Sequence, residues 1–482
     1  MRIAVISDLH FSRVPSPLSE RIGRFADIFL LRAVHRLNRY LRPDFVFIGG
    51  DLLNDPSAPD ALELLGELRS VLALLKMPFI VIPGNHDPAP EAFYQVMPRP
   101  PEHLDIGGCR FIAFPDDAQT AGYNARRAPA EVERMKRLAA AHHGPVVSLQ
   151  HVPLFPAGRS DCLYNYENSA EIIAPGLTLT IGGHYHAGMR MLNHDRVSAI
   201  AAPALCEAPF RFLILDLDCC GSVVGAETHA LAMPEELRLT DGHVHTRFAY
   251  CNQNMDAVKA LELASLFGLD QIAFSEHSAH LYLSQEDYRK KEYYRNGLAG
   301  CALRPRLAEY FAELARHAGR RFLRGLELDF DAHGRPLAMP EDLCRIDLRI
   351  GAVHYLENHD DPAASREEFM AQTRGILSSG VAIYAHPFRA IRRHIQPAPP
   401  GLYASVVRLL RDTGTAAEIN FHANTPDPEF VLMCVKEGVK LAFGSDSHNL
   451  YQVGEFYPHL ELMKSIGCYG RLPEILFRPE PL

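Results

Sequence analysis

Short apolar runs recur along this chain, and the side chains at their carboxyl ends constrain its fold more than any other feature. In the first half the runs are RIAVIS (2–7), DFVFIG (44–49), FIVIP (79–83), PVVSL (145–149) and LTLTI (177–181). Rich in Val, Ile and Leu and bounded by chain breakers, each reads as a buried strand. Helix-like stretches separate them, notably 19–41 and 128–143, so the order is mixed α and β. Behind the runs stand Asp8 and His10, then Asp51, then Asn85 and His86, then His151, then His184 and His186. All five end in side chains able to bind a metal.

Taken singly these residues say little, because Asp and Asn are common in turns and a lone His is ordinarily a satisfied core or surface residue. Five strand ends in succession would need five coincidences. Asp51 sharpens the point. An ionised carboxylate buried at a strand end costs several kcal/mol unless compensated, and a dication supplies that compensation.

The second half repeats the pattern. Runs at 241–245, 271–275, 321–328, 347–353, 381–385, 415–420 and 439–444 alternate with helix-like segments at 254–267, 303–317, 366–379, 402–412 and 427–437. Such alternation marks parallel strands with crossover helices, and seven strands suggest a closed or nearly closed barrel. Functional residues of a barrel gather at the carboxyl ends of its strands. Here those ends carry His243 and His245, His277, Glu327, His354, His386, Glu418, and Asp446 with His448.

Composition sets bounds on the rest. A chain of 482 residues exceeds what one core usually supports, which predicts two domains. The start, MRIAVISDLHF, has no basic stretch leading into an apolar one, and no 18-residue apolar run occurs, so a cytoplasmic protein without membrane spans is expected. Ten scattered cysteines without a C-x-x-C pair argue against a disulfide framework or a zinc ribbon. A net charge of -9 disfavours non-specific duplex DNA as partner but leaves room for small phosphorylated substrates. Of the 24 histidines, 11 fall at the strand ends named above, His86 included.

The blocks DLH, GGDLLND, GNHD, QHVP and GGHYH, in that order, resemble the motifs of the calcineurin-like metallophosphoesterases across residues 1–236. The resemblance implies a two-layered β sandwich flanked by helices, four layers in all, with two metals bridged by one carboxylate. Carried over residue by residue, it implies Asp8, His10, Asp51 and His186 around one metal, and Asp51, Asn85, His151 and His184 around the other. Two cations ~4 Å apart can bind a phosphoryl oxygen, generate hydroxide at neutral pH and stabilise an in-line transition state. His86 would protonate the leaving oxygen or steady its charge.

DGHVHT, FSEHS, GLELDF, GAVHYL, YAHPF, EINF and GSDSH resemble the polymerase and histidinol phosphatase (PHP) domain, especially its histidinol-phosphatase-like branch, in residues 237–482. This implies a distorted seven-stranded (β/α) barrel, and with the first domain an α/β and α+β two-domain chain joined at 232–239. By motif, His243, His245, Glu327 and Asp446 would share one metal, and Glu327, His354 and His386 a second. His277 and His448 would hold a third with a residue of the loop after the first strand. Many members carry a His there, whereas this chain has Cys251, which either ligates a softer metal or is a buried thiol. The expected cofactors are divalent ions (Mn, Fe or Zn), two in the first domain and two or three in the second.

Glu418 and Asn420 match the motif as pocket-shaping residues rather than ligands. Arg389 and Arg392, with Arg393, either clamp a substrate phosphate or form a solvated basic helix start. The insert 280–297 reads as a lid or an exposed helix. Both resemblances point to a bifunctional phosphoesterase acting on phosphodiesters, phosphomonoesters or nucleotides, one domain opening a diester and the other removing the monoester. The alternatives are a nuclease that processes nucleic-acid ends, and one active domain regulated by a silent partner domain.

Overall fold

Each apolar run forms a strand in the computed structural model, which describes residues 1–115, 117–301, 303, 306–358, 360–393 and 400–479. Contacts divide the chain into Met1–Ala232 and Met233–Leu482, a break slightly ahead of residue 236.

The first unit contains β1 (Arg2–Ile6), β2 (Phe45–Ile48), β3 (Phe79–Val81), β4 (Leu104–Ile106) and β5 (Cys109–Ala113), then a small hairpin of β6 (Ala118–Gln119) and β7 (Ala125–Arg126). After the hairpin come β8 (Val146–Leu149), β9 (Leu179–Gly182), β10 (Met189–His194), β11 (Val197–Ala201), β12 (Arg211–Leu217) and β13 (Val223–Ala230). They build two mixed sheets, ordered β13-β12-β1-β2-β3 and β10-β11-β9-β8-β5-β4. Ile3, Val5, Phe45 and Phe47 of one sheet share a core with Phe111, Val147, Leu149 and Ile181 of the other. The Phe45 and Phe111 rings, 5.0 Å apart, link the layers. Burying each such side chain stabilises the fold by ~1.5–3 kcal/mol. Helix Pro129–Ala140 covers the second sheet's outer face, with Val132, Met135 and Leu138 against Ile112 and Val146.

Two expectations change here. The stretch 19–41 is helical only from Gly23, as a 3-10 turn over Gly23–Phe25, an α-helix over Ala26–Arg36 and a π-turn over Leu37–Leu41. A Cβ on Gly23 would lie 1.9 Å from the His10 carbonyl oxygen, so this segment is pressed against the loop after β1. The strands expected at 211–218 and 222–231 are β12 and β13, whereas β4, β5, the hairpin β6–β7, β10 and β11 have no counterpart among the expected strands. β10 is mostly exposed or half-buried, and β5 carries Arg110 within a five-residue run.

In the second unit β14 (Thr240–Val244), β15 (Gln271–His277), β16 (Phe322–Leu328), β17 (Leu348–Gly351), β18 (Ile383–Tyr384), β19 (Ala416–Asn420) and β20 (Leu441–Gly444) pair in chain order. All are parallel. The sheet nearly closes at its seam, where Val244 bridges to Ser447. There Asp446 N donates to His243 O (2.8 Å) and His245 N to Ser447 O (3.1 Å). Ala273, Leu323, Ile350, Ile383 and Ala442 cluster between the strands.

Asp361–Pro362 and Asp427–Pro428 open the helices Pro362–Ser378 and Pro428–Lys436. In each, the Asp side chain accepts first-turn N–H groups and the Pro needs none. The helix expected over 303–317 spans Leu307–Ala315; Arg304 and Pro305 lie outside the described residues. The insert is three short helices, Ser278–Tyr282, Gln285–Lys290 and Glu292–Asn296. Among the described residues no helix is long and apolar enough to cross a membrane.

Candidate metal centres

In the first unit the loops after β1, β2, β3, β8 and β9 meet at one place. Asp8, His10, Asp51 and His184 all sit at positive φ (57°, 47°, 52° and 63°). A non-glycine residue pays ~1–3 kcal/mol for that conformation, and it persists only where surrounding bonds over-determine it. They do so here. Asp8 N donates to Gly50 O (3.0 Å), His10 N to Asp51 O (3.0 Å) and Cys206 N to Asp8 O (3.1 Å).

The side chains fall into two sets around Asp51. On the Oδ2 side, His10 Nε2 stands 3.6 Å away, with His186 Nε2 3.1 Å from His10 and 3.5 Å from Asp8 Oδ1. On the Oδ1 side, His151 Nε2 stands 3.4 Å away, and Asn85 Oδ1 and His184 Nδ1 each lie 3.2 Å from it. The structure thus brings together all seven residues expected as ligands. His86 joins them: its N–H donates to Asp51 Oδ1 (2.8 Å), and its ring stands edge-on to His10 with centroids 4.8 Å apart. A cleft of ≈ 580 Å³ opens onto the cluster, lined by Asn85, His86, His184 and His186 with Tyr123 and Tyr164.

Second partners fix which ring nitrogen faces inward. His151 donates from Nδ1 to Gly49 O (2.7 Å) and His184 from Nε2 to Tyr123 O (3.1 Å). His186 pairs its Nδ1 with Glu207 Oε1 at 2.5 Å. A carbonyl or carboxylate behind a ring leaves a lone pair on the opposite nitrogen, which is how metal-binding His is usually oriented. The donor set fits divalent cations, and the fully buried Asp8 Oδ1 has no hydrogen-bond partner. Burial pushes the Asp51 carboxyl up, but His151 and His10 outweigh it and hold it well below the usual range. Burial pushes His151 down, yet Asp51 and Asp8 raise it to about 9, so its proton must leave when a cation binds.

Glu327 plays the corresponding part in the second unit. Its Oε1 lies 3.0 Å from His354 Nε2 and 2.8 Å from His386 Nε2. Its Oε2 lies 3.5 Å from His243 Nε2, 3.7 Å from His245 Nε2 and 2.7 Å from His277 Nδ1. Asp446 Oδ1 completes the second set, 3.1 Å from His245 Nε2 and 3.6 Å from His243 Nε2. His386 and Asp446 are again at positive φ (30° and 53°).

The same inward orientation holds. His243 Nδ1 pairs with Glu418 Oε1 (2.8 Å), His245 Nδ1 with Glu276 Oε1 (3.2 Å), and His354 Nδ1 with Asp329 Oδ1 (2.8 Å). His448 donates from Nδ1 to Asp446 O (2.9 Å). Burial lowers His245 and His354, but Asp446 and Glu276 raise the first to about 9, and Glu327 and Asp329 the second to about 10. His245, His277 and His448 place ring nitrogens within 4.8 Å of one another, and Cys251 Sγ lies 3.9 Å from His277 Nε2. Burial, with Glu276 and Asp446 adding, pushes that thiol up to about 12.

Arg389 reaches this cluster, donating to Asp446 Oδ2 (2.6 Å) and His386 Nε2 (2.7 Å). Arg392, expected beside it as a phosphate contact, does not reach it. Its guanidinium turns to Thr425 O and Tyr403 Oη, with Asp427 3.6 Å away. One turn of helix faces the two arginines in different directions. Glu418 both orients His243 and accepts His386 N (2.7 Å), while Asn420 donates to Glu418 (3.0 Å).

Glu207, Glu276, Asp329 and His280 join the sites without being expected there. Glu276 and Asp329 stand inside the motifs FSEHS and GLELDF, and an acidic residue there is the available signal. Glu207 has none, because it pairs with His186 from a loop 21 residues away.

Residues 1–188 match the family model of the calcineurin-like phosphoesterases. A protein of Acetivibrio thermocellus named a probable phosphatase is 28% identical over 156 residues, covering 31% of this chain and 61% of that protein. The chain therefore spans about three-fifths of the length of that curated relative. Among solved structures, a dimetal phosphatase from Danio rerio is 13% identical, covering 48% of this chain and 98% of its own, with a TM-score of 0.38. Histidinol phosphate phosphatase from Lactococcus lactis subsp. lactis, complexed with zinc, L-histidinol and phosphate, is 17% identical, covering 48% and 94%, with a TM-score of 0.35.

Proposed function

We propose that the chain, whose residues 1–188 match the calcineurin-like phosphoesterase family model, is a metal-dependent phosphoric ester hydrolase with one centre in each unit. One observation carries the reading: Asp51 and Glu327 are buried carboxylates whose two oxygens each face a separate set of nitrogen and oxygen donors. Such a pair of donor sets would hold divalent cations, whose chemistry would be to supply hydroxide at neutral pH and neutralise charge on a transferring phosphoryl group.

The chain's own residues do the rest. His86 donates from Nδ1 to Asn54 O (2.8 Å), which leaves Nε2 as the ring nitrogen that meets a leaving oxygen in the cleft. Arg389 presents two guanidinium nitrogens at the second cluster, a match for two phosphoryl oxygens. A cleft of ≈ 580 Å³ suits a small phosphorylated molecule or a nucleotide, and a net charge of -9 disfavours a nucleic-acid polyanion. The division of labour is diester opening at one centre and monoester removal at the other.

The test is a panel of phosphomonoesters, phosphodiesters and cyclic nucleotides, assayed with Mn²⁺, Zn²⁺ or Fe²⁺ on the full chain and on Asp51→Asn and Glu327→Gln. Each substitution is expected to abolish one class of activity and spare the other. No phosphate release by the wild type, or undiminished release by both variants, would end the proposal. The division of labour fails on its own if both centres act on the same substrate.

A further inference from the structure

We propose that Arg21 is a specificity-determining residue of the first unit, one that holds a second phosphate of a nucleotide-like ester whose planar ring lies against Tyr123 and Tyr164. The inference rests on reading that unit as a phosphoesterase centre, and it names the class of substrate that centre takes. Arg21 stands in the ≈ 580 Å³ cleft beside the metal-binding cluster without belonging to either expected ligand set. Its charge acts on His10, His186 and Glu207, which sets it on the Oδ2 side of Asp51.

The backbone around Arg21 is fixed and its head group is not. Arg21 N donates to Leu18 O (3.1 Å) and Ile22 N to Cys206 O (2.9 Å), while Gly23 is pressed on the His10 carbonyl. Among the described residues the guanidinium makes no hydrogen bond and no ion pair, and its Nε is buried. Glu207, the carboxylate on which its charge acts, is taken by His186 Nδ1 at 2.5 Å. A buried N–H without an acceptor is costly in the free protein, and a ligand oxygen removes that cost. Asp51 and its two donor sets serve the scissile phosphoryl through cations, which leaves Arg21 for another anion. Its planar fork matches two oxygens of a second phosphate.

The other side of Asp51 is aromatic. His184, in the Oδ1 set, has the Tyr164 ring 4.8 Å away between centroids, and Tyr123 and Tyr185 stand 6.3 Å and 6.0 Å from Tyr164. All three tyrosines line the cleft. Tyr123 is 59% exposed, and its backbone oxygen rather than its hydroxyl holds His184 Nε2 (3.1 Å), so its ring is open to a ligand. Aromatic faces at the edge of an anion-binding cleft stack nucleobases with little regard to which base. A scissile phosphoryl at Asp51 thus lies between a ring on the tyrosine side and a second phosphate on the Arg21 side.

Every chain tested is full length, carries Glu327→Gln to silence the second centre, and is loaded with Mn²⁺. The two substrates are the p-nitrophenyl ester of thymidine 5′-phosphate and the same ester with a further phosphate on its 3′ oxygen. Nitrophenol release should give a KM ~10–100-fold lower for the ester with the second phosphate, the worth of hydrogen bonds to a charged group. Arg21→Gln should bring the two KM values together, and Arg21→Lys should restore part of the difference. Tyr123→Ala should raise both KM values ~10-fold and leave their ratio standing. Equal KM values in the chain with Arg21 intact would overturn the second-phosphate role. So would Arg21→Gln raising both equally, which would place Arg21 on the scissile group. Tyr123→Ala with both KM values unchanged would overturn the stacked ring. Calorimetric titration with the same two esters reads the preference without turnover. A chain that binds them with that preference but releases no nitrophenol would sink the proposed function and leave the Arg21 subsite standing. Release from both without preference would do the reverse, and binding of neither would overturn both.

Discussion

Among single residues, the partners behind the histidines matter as much as the histidines. Glu207 holds the His186 ring at 2.5 Å from outside the cluster. Glu207→Ala should weaken cation binding in the first unit ~10–100-fold, measured by calorimetric titration, while Asp51→Asn should abolish binding on both sides of the carboxylate. Arg389 and Arg392 provide an internal control. Arg389→Ala should raise KM for a phosphomonoester by ~10–100-fold, the worth of a hydrogen bond to a charged group, while Arg392→Ala leaves it within about twofold. Because His151 and His245 are raised to about 9, they hold protons below that pH, and cations must displace them. Apparent cation affinity should therefore strengthen as pH rises toward that value, with proton release visible in titrations run in buffers of different ionisation enthalpy. The strand-end residues are legible in the sequence because each stands just past an apolar run. Their partners are not, since Glu207 reaches the His186 ring through a tertiary contact that carries no local pattern.

Among the strands, helices and loops, backbone shape leaves little free space at the first centre. A Cβ on Gly84 would lie 2.3 Å from Asp51 Oδ1 and 2.7 Å from His151 Cε1. Gly84→Ala should therefore displace Asp51 or His151 and cost cation binding, alongside a stability loss of ~1–3 kcal/mol read by denaturant titration. Phe47 is a contrast, filling the core between the two sheets. Phe47→Ala should cost ~3–5 kcal/mol without changing cation stoichiometry in the folded fraction. Strand positions are readable from Val and Ile runs, including all seven of the second unit. The helix expected over 19–41 starts only at Gly23, and its apolar pattern says nothing of the close packing of Gly23 on the His10 carbonyl. β10 has no such signal, because a half-exposed strand such as MRMLNH lacks an apolar run.

In the molecule as a whole, each unit has its own core, and the seam hydrogen bonds of the second join the first and last strands of that unit. Residues 1–232 and 233–482 expressed separately should each unfold cooperatively, and saturating cation should stabilise each. The gain is ~2.7 kcal/mol for a single site at a hundredfold excess over Kd. Failure of either to fold alone would show that its core is not self-sufficient. The repetition of one device on two unrelated sheets is visible in the sequence as two ladders of strand ends. The way each ladder divides around one carboxylate is not, because the side of Asp51 or Glu327 that a histidine faces depends on loop geometry. The most direct measurement is an anomalous difference map from crystals of the full chain soaked in Mn²⁺. Paired peaks are expected on either side of Asp51 and on either side of Glu327. A map with no peak beside one of these carboxylates, or with one peak where two are required, would contradict a pair of cation sites sharing each buried carboxylate.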